Sequence, residues 1–139
     1  MDYRRVFVDS DVILDLFLKR EPFFKFSQTL FNSSERNYLK LYTSTLIIAN
    51  VHYFVSKALK DKSLAKSHIK LLIELISVIS VTAEHIQTAV NSSGNDFEDA
   101  IQISVAETSK ADFIITRNTK DYKHSAIPVL TAEQFLRTL

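Results

Sequence analysis

In a chain of 139 residues with 16 acidic side chains and no cysteine, carboxylates are the groups best placed to do chemistry. Three stretches concentrate them. The first, Val6-Phe-Val-Asp-Ser-Asp-Val-Ile-Leu-Asp15, puts Asp9 directly after three apolar residues and before a change of period, because Val12, Ile13, Leu16 and Phe17 recur at helical spacing. A short buried strand that ends in an acid and turns into a helix is how an open α/β sheet presents a ligand site, outside the carboxyl ends of its strands. Asp9, Ser10 and Asp11 can each cap that helix. Three candidates for one helix start leave at least one acid over, and the strand-end position favours Asp9 for a functional role.

The second stretch is Asn95-Asp-Phe-Glu-Asp-Ala100, after a polar loop. Asp96 and Asp99 share a helix face at a spacing of three. A cap explains Asp96 well. It explains Asp99 less well, since Asp99 opens the apolar run Ala100-Ile-Gln-Ile-Ser-Val-Ala106. The third stretch, Ile114-Ile-Thr-Arg-Asn-Thr-Lys-Asp-Tyr122, repeats the geometry of the first: an apolar strand, then Thr116, Arg117, Asn118 and Asp121. Read alone it is a turn with a cap; beside Asp9 it becomes a polar cluster on the same sheet edge.

Oxygen ligands without a His or Cys cluster point to a hard cation. Mg²⁺ accepts one or two carboxylates and keeps several waters, whereas Zn²⁺ would want imidazole or thiolate. His52, His68, His85 and His124 fall on four separate elements without ligand spacing. A single glycine excludes the phosphate loop and the dinucleotide fingerprint, and there is no G-x-S-x-G elbow. Lys57, Lys60, Lys62, Lys66 and Lys70 form a basic run whose last three members follow i+4 steps on one helix face. Such a stripe is either a solvated face or a set of phosphate contacts.

The elements that must position these acids follow from period and punctuation. Residues 6–8 read as a strand and residues 23–31 as a Phe-rich helix after Glu21-Pro22, with Pro22 tolerated at a first helical position. Residues 39–43 form a second strand. Thr45 is the expected N-cap of a helix over residues 46–59, followed by a helix over 64–75 and a strand over 77–81. Thr82, with His85 three residues on, opens a helix through Val90, and residues 91–95 are a loop holding Gly94. Asp96 opens a helix to about Ala106, residues 112–116 and 127–130 are strands, and Thr131-Ala-Glu-Gln134 caps a helix over 132–139. Strands alternating with helices imply an α/β domain with a mostly parallel sheet of about five strands. Without repeats, linkers or low-complexity tracts, one domain is expected.

Composition agrees. With 46% hydrophobic and 24% charged residues the chain is globular, and at this length it buries roughly 68–70% of its unfolded surface. The first five residues lead straight into a strand with no apolar targeting region, and no apolar run nears the ~20 residues of a membrane span. The absence of cysteine suits a reducing cytoplasm. Net charge is +1, but residues 1–74 carry 12 basic against 8 acidic side chains and residues 75–139 carry 5 against 8. A basic half facing an acidic half suits a polyanion brought to a carboxylate site.

On these residues the chain resembles the PIN-domain family, in particular its small bacterial VapC-like toxins. The likeness rests on Phe7-Val-Asp-Ser-Asp-Val-Ile-Leu-Asp15, Asp96-Phe-Glu-Asp-Ala-Ile-Gln102, Ile115-Thr-Arg-Asn-Thr-Lys-Asp-Tyr122 and the closing Ile127-Pro-Val-Leu-Thr-Ala-Glu-Gln-Phe135. It implies a three-layer sandwich of helices about a parallel sheet, and Mg²⁺- or Mn²⁺-dependent cleavage of RNA. By the same resemblance, Asp9 and Asp99 take the family's first and third acidic positions, Asp96 is an extra acid, and Thr116 is the hydroxyl residue before the last. Asn50 stands where the second acid usually lies, offering a carbonyl oxygen without charge. Asn118 stands at the fourth, with Asp121 a candidate substitute.

The expected enzyme is therefore a metal-dependent ribonuclease. Asp9, Asp96 and Asp99 hold the ion, Asn50, Thr116, Asn118 and Asp121 complete the catalytic edge, and Arg117, Lys62 and Lys66 hold RNA. Close carboxylates raise one another's pKa, so metal occupancy should weaken below neutral pH. Two rivals remain. Asp9-Ser-Asp11 also resembles the nucleophile motif of haloacid-dehalogenase phosphatases, which would need a later lysine and usually a cap domain. Alternatively, with Asn50 and Asn118 in place of acids, the fold serves as an RNA- or partner-binding module. The resemblance further implies a homodimer and a small antitoxin partner, for which the helix from Phe23 to Phe31 is the nominated surface.

Overall fold

The most apolar strand lies at the centre. Val6, Phe7 and Val8 are fully buried, so this strand needs neighbours at both edges and cover on both faces. The structure, a computed structural model, describes residues 3–94 and 96–139. Met1, Asp2 and Asn95, the last residue of the polar loop, lie outside the described residues. In chain order the elements are β1 (Arg4–Val8), α1 (Ser10–Phe17), α2 (Phe24–Ser33), β2 (Leu39–Ser44), α3 (Thr45–Leu59), α4 (Lys62–Leu75), β3 (Ser77–Ile79), α5 (Ala83–Val90), α6 (Phe97–Thr108), β4 (Phe113–Ile115), a 3₁₀ turn over Thr119–Tyr122, β5 (Val129–Leu130) and α7 (Ala132–Leu136).

All strand pairs are parallel, in the order β3-β2-β1-β4-β5. Val6 lies beside Leu41 on one side and Phe113 on the other; Val8 lies beside Ile115. The chain thus builds outward through β2 and β3, then returns to the opposite edge of β1 with β4. That reversal makes a switch point, and open α/β sheets bind ligands in the crevice at the carboxyl ends of such strands. α1 packs on α2 and α3, α4 on α3, and α7 on α2, while α5 and α6 pair with each other. These two sets of helices flank the sheet as the outer layers of a three-layer α/β sandwich.

Several boundaries move for identifiable reasons. Ser44, not Thr45, caps α3: its hydroxyl accepts from the Ile47 amide at 3.1 Å and donates to Gln102 Oε1 at 2.7 Å. Thr45 is the first helical residue, and its hydroxyl instead accepts from Val81 N at 3.1 Å. α2 begins at Phe24, so Pro22 sits in the preceding turn rather than at a first helical position. The Thr82–His85 and Thr131–Gln134 capping boxes both form.

The Phe-rich helix is less exposed than its composition suggests: Leu30 and Phe31 are core residues, while Phe23, Phe24 and Phe26 are half-buried. Open apolar surface lies elsewhere, on Tyr53 and Phe54 of α3, Leu71 and Leu75 of α4, and Val90 of α5.

Candidate active site

Asp9 continues the sheet for one residue beyond β1, its amide donating to Ile115 O at 2.9 Å. Its carboxylate is then held at both oxygens: Oδ1 accepts from the Ser10 amide at 2.7 Å and Oδ2 from the Thr116 hydroxyl at 2.8 Å. Asp9 is therefore the N-cap of α1 as well as the acid at the strand end. Only 6% of it is exposed. Burial pushes its pKa up, against the pull of the Thr116 and Ser10 bonds. Asp11, in the first turn of the same helix, accepts from the Arg117 amide at 3.0 Å and faces the Thr116 hydroxyl at 3.3 Å. A hydroxyl has one proton to give, and the shorter distance assigns it to Asp9. Asp11 Oδ1 is buried with no hydrogen-bond partner among the described residues. Burial first, and then the charge of Asp9, push this carboxyl up to about 7.

The facing wall comes from the start of α6. Asp96 caps that helix, its Oδ1 accepting from the Asp99 amide at 2.9 Å. Asp99, half-buried, is pushed up to about 7 by burial and then by the charges of Asp96, Asp9, Asp121 and Glu98. The carboxylate of Asp99 on α6 therefore lies within electrostatic reach of Asp9 after β1 and of Asp121 in the turn after β4. Tyr122, in the 3₁₀ turn, is fully buried beneath them. Its hydroxyl finds no hydrogen-bond partner among the described residues, and burial followed by the Asp9 and Asp99 charges raises its pKa. Asn50 reaches this wall from α3 and donates to Glu98 Oε1.

A PIN-domain family model matches residues 5–120, which include the strand-end acid, the α6 acids and the turn after β4. The chain belongs to the PIN-domain family. Ribonuclease VapC1 of Aquifex aeolicus (strain VF5) is 31% identical over 140 residues, covering 97% of this chain and 95% of that protein. Among solved structures, VapBC-1 from nontypeable Haemophilus influenzae superposes with a TM-score of 0.69 at 15% identity, over 93% of this chain and 98% of that one. A toxin-antitoxin complex from Klebsiella pneumoniae gives 0.66 at 20% identity, over 91% and 97%. These structural likenesses concern the fold.

On the PIN fold the sequence candidates divide. Asp9 and Thr116 meet at the switch point, and Asp99 lies near enough to feel the charges of Asp9 and Asp121. Asn50 stands at the rim through Glu98. Asn118 donates its amide to the Thr116 hydroxyl at 3.1 Å and lines a neighbouring cavity of about 240 Å³ with Asp15, Phe23 and Arg117. The remaining candidates fall into three groups. Asp96 has Oδ1 engaged in capping α6. Arg117 points to Asp15 rather than toward a substrate, with Nε 2.8 Å from Oδ2 and Nη2 donating to Oδ1 at 3.0 Å. Lys62 and Lys66 lie past the far end of α3, which at about 1.5 Å per residue carries the chain roughly 22 Å away from Ser44 and the acidic edge.

Asp15, Glu98 and Tyr122 also belong to this edge, and Asp11, expected as a cap or as part of an Asp-x-Asp motif, joins it through the Arg117 amide. Asp15 had a signal: an acid three residues after Val12, on the buried face of an apolar helix, requires a partner. Among the described residues no three acidic or imidazole side chains converge tightly enough to enclose an ion by themselves. The donors are all oxygens, however, and Asp11 Oδ1 is an unpartnered buried one. That set fits a hard divalent cation held by one or two carboxylates with water completing its shell.

Proposed function

We propose that this PIN domain, read as the whole chain, is a divalent-metal-dependent endoribonuclease of the VapC type. Support comes first from Asp9 and Asp99. They are distant in sequence, yet the charge of Asp9 adds to burial and to the Asp96 charge in making Asp99 reluctant to ionise. Family membership and the likeness to Ribonuclease VapC1 point the same way, and PIN-domain VapC nucleases generally depend on divalent metal. Asp9 and Asp99 would hold Mg²⁺ or Mn²⁺, which supplies positive charge to a scissile phosphate and a better water nucleophile.

The chain's own contribution is positioning. Thr116 and the Ser10 amide fix the rotamer of Asp9. Tyr122 fills the space beneath the acids and keeps bulk water out. Asp121, Asn118 and the Asn50–Glu98 pair form the open rim where phosphate oxygens or water would be oriented. A small antitoxin is the proposed partner, supported by relatives solved in toxin-antitoxin complexes. Homodimerisation, for which sedimentation is the check, and a cytoplasmic location belong to the same reading; no described helix is long and apolar enough to cross a membrane.

The test is incubation with single-stranded and structured RNA in Mg²⁺, Mn²⁺ or EDTA, beside Asp9→Asn and Asp99→Asn. Cleavage that needs metal and both carboxylates is the expected result. RNA bound but left intact in every metal would instead support a binding module, the reading favoured by Asn50 and Asn118 at positions usually acidic.

A further inference from the structure

We propose that Arg117 is a positioning residue, a brace that locks the turn after β4 against α1 so that Thr116 and the Arg117 amide hold Asp9 and Asp11 in place. The inference rests on the nuclease reading for its catalytic consequence, but its geometry stands apart from it. After β4 the sheet makes its last contact through Thr116 N, which donates to Leu130 O at 3.0 Å. From there the turn is tied to α1 by one residue at two levels. The Arg117 amide donates to Asp11 at 3.0 Å, and the guanidinium binds Asp15 at 2.8 and 3.0 Å. Asp11 and Asp15 are four apart on one helix and share a face, so this double grip fixes both the height and the rotation of the turn relative to the helix.

The Phe23 ring completes the brace, with the guanidinium carbon 4.1 Å from its centroid. A planar guanidinium that donates from Nη2 to one carboxylate oxygen, lies 2.8 Å from the other through Nε and rests on a ring face has a restricted orientation, not merely a fixed distance. Asp15 is 1% exposed while the Arg117 side chain is 30% exposed. A buried carboxylate gains little net stability from such a pair compared with apolar residues of the same size, so orientation is what the pair adds. The oriented element is the one that carries the Thr116 hydroxyl to Asp9 at 2.8 Å and, through Asn118 N at 3.1 Å, closes its own turn.

The experiment compares the protein with Arg117→Lys, Arg117→Met and Phe23→Leu. It reads kcat and KM on RNA with Mn²⁺, the salt dependence of RNA affinity, and amide hydrogen exchange over residues 116–118 and over β1. Lysine keeps the charge but loses the fork and the stacking. Both Arg117 variants should lower kcat roughly tenfold to a hundredfold, with KM and the salt slope unchanged. Exchange in the turn should rise at least roughly tenfold while β1 stays protected. Phe23→Leu keeps the ion pair and should lower kcat about threefold.

Wild-type kcat in Arg117→Lys, or a raised KM with a shallower salt slope, would overturn the brace, the latter in favour of a phosphate contact. Unchanged exchange in the turn would overturn it as well. If an Arg117 variant also loses protection in β1, it has unfolded and Phe23→Leu decides. If the protein itself cuts no RNA, the nuclease reading fails and the exchange data alone decide the brace.

Discussion

Asp9 and Asp99 carry the same chemical group, and both resist ionisation, yet they are held in different ways. Asp9 is nearly inaccessible and accepts a hydrogen bond at each oxygen. Asp99 is half-buried, and its carboxylate accepts no hydrogen bond among the described residues; its displacement to about 7 comes from burial and neighbouring charge. One carboxylate is preset by the sheet, and the other, on the first turn of a helix, accepts no hydrogen bond among the described residues. A cation would therefore be organised by the Asp9 side and closed by the Asp99 side.

That asymmetry sets an order of effects. Asp9→Asn should abolish cleavage, by at least roughly 10³-fold in kcat, without lowering Tm, because burial already opposes the charge it removes. Asp99→Asn should cost roughly 10²-fold; an equal loss in the two variants would erase the distinction between a hydrogen-bonded and an unbonded acid. Stability should also report the metal-free site. Asp11 and Asp99 are displaced from an ordinary 3.8 to about 7. A carboxyl with a raised folded-state pKa favours folding in its protonated form, so its contribution is complete below 3.8 and lost as pH rises to about 7. Tm in EDTA should decline across that window and recover with added Mn²⁺.

Smaller effects discriminate structural from catalytic acids. Asp96→Ala should lower stability by about 1 kcal/mol through the lost helix cap, with kcat within about threefold of the original. The paired substitution Lys62→Ala and Lys66→Ala should change neither cleavage nor the salt slope of RNA binding. Each genuine phosphate contact would instead reduce that slope by about 0.7–0.9.

The parts of this site that were legible in the sequence share a signature: an apolar strand meets a polar residue at its carboxyl end. Asp9 and Thr116 have it, and Asp99 stands out because a cap alone does not explain a second acid. The lysine stripe has only a helical period, which is the same for a solvated face and a binding face, and only the length of α3 separates the two. The ion pair of Arg117 could not be read from the sequence because its partner, Asp15, lies 102 positions away, beyond the reach of local pattern. Apolar periodicity likewise marks α3 as amphipathic but cannot tell that Phe54 and Leu59 remain open to solvent while Val51 and Val55 enter the core.

The pairing of β1 with both β2 and β4 has a consequence for the time at which the protein becomes competent. The strand that ends in Asp9 is synthesised first, but one of its two edges is filled by residues 113–115, and its carboxylate meets Thr116 only when that late segment is available. Domains form as units once their long-range partners exist, and pairings of such separation are slow to close. The acidic edge is thus assembled only after residues 113–116 have left the ribosome, so a nascent fragment that stops short of them carries Asp9 without its Thr116 partner.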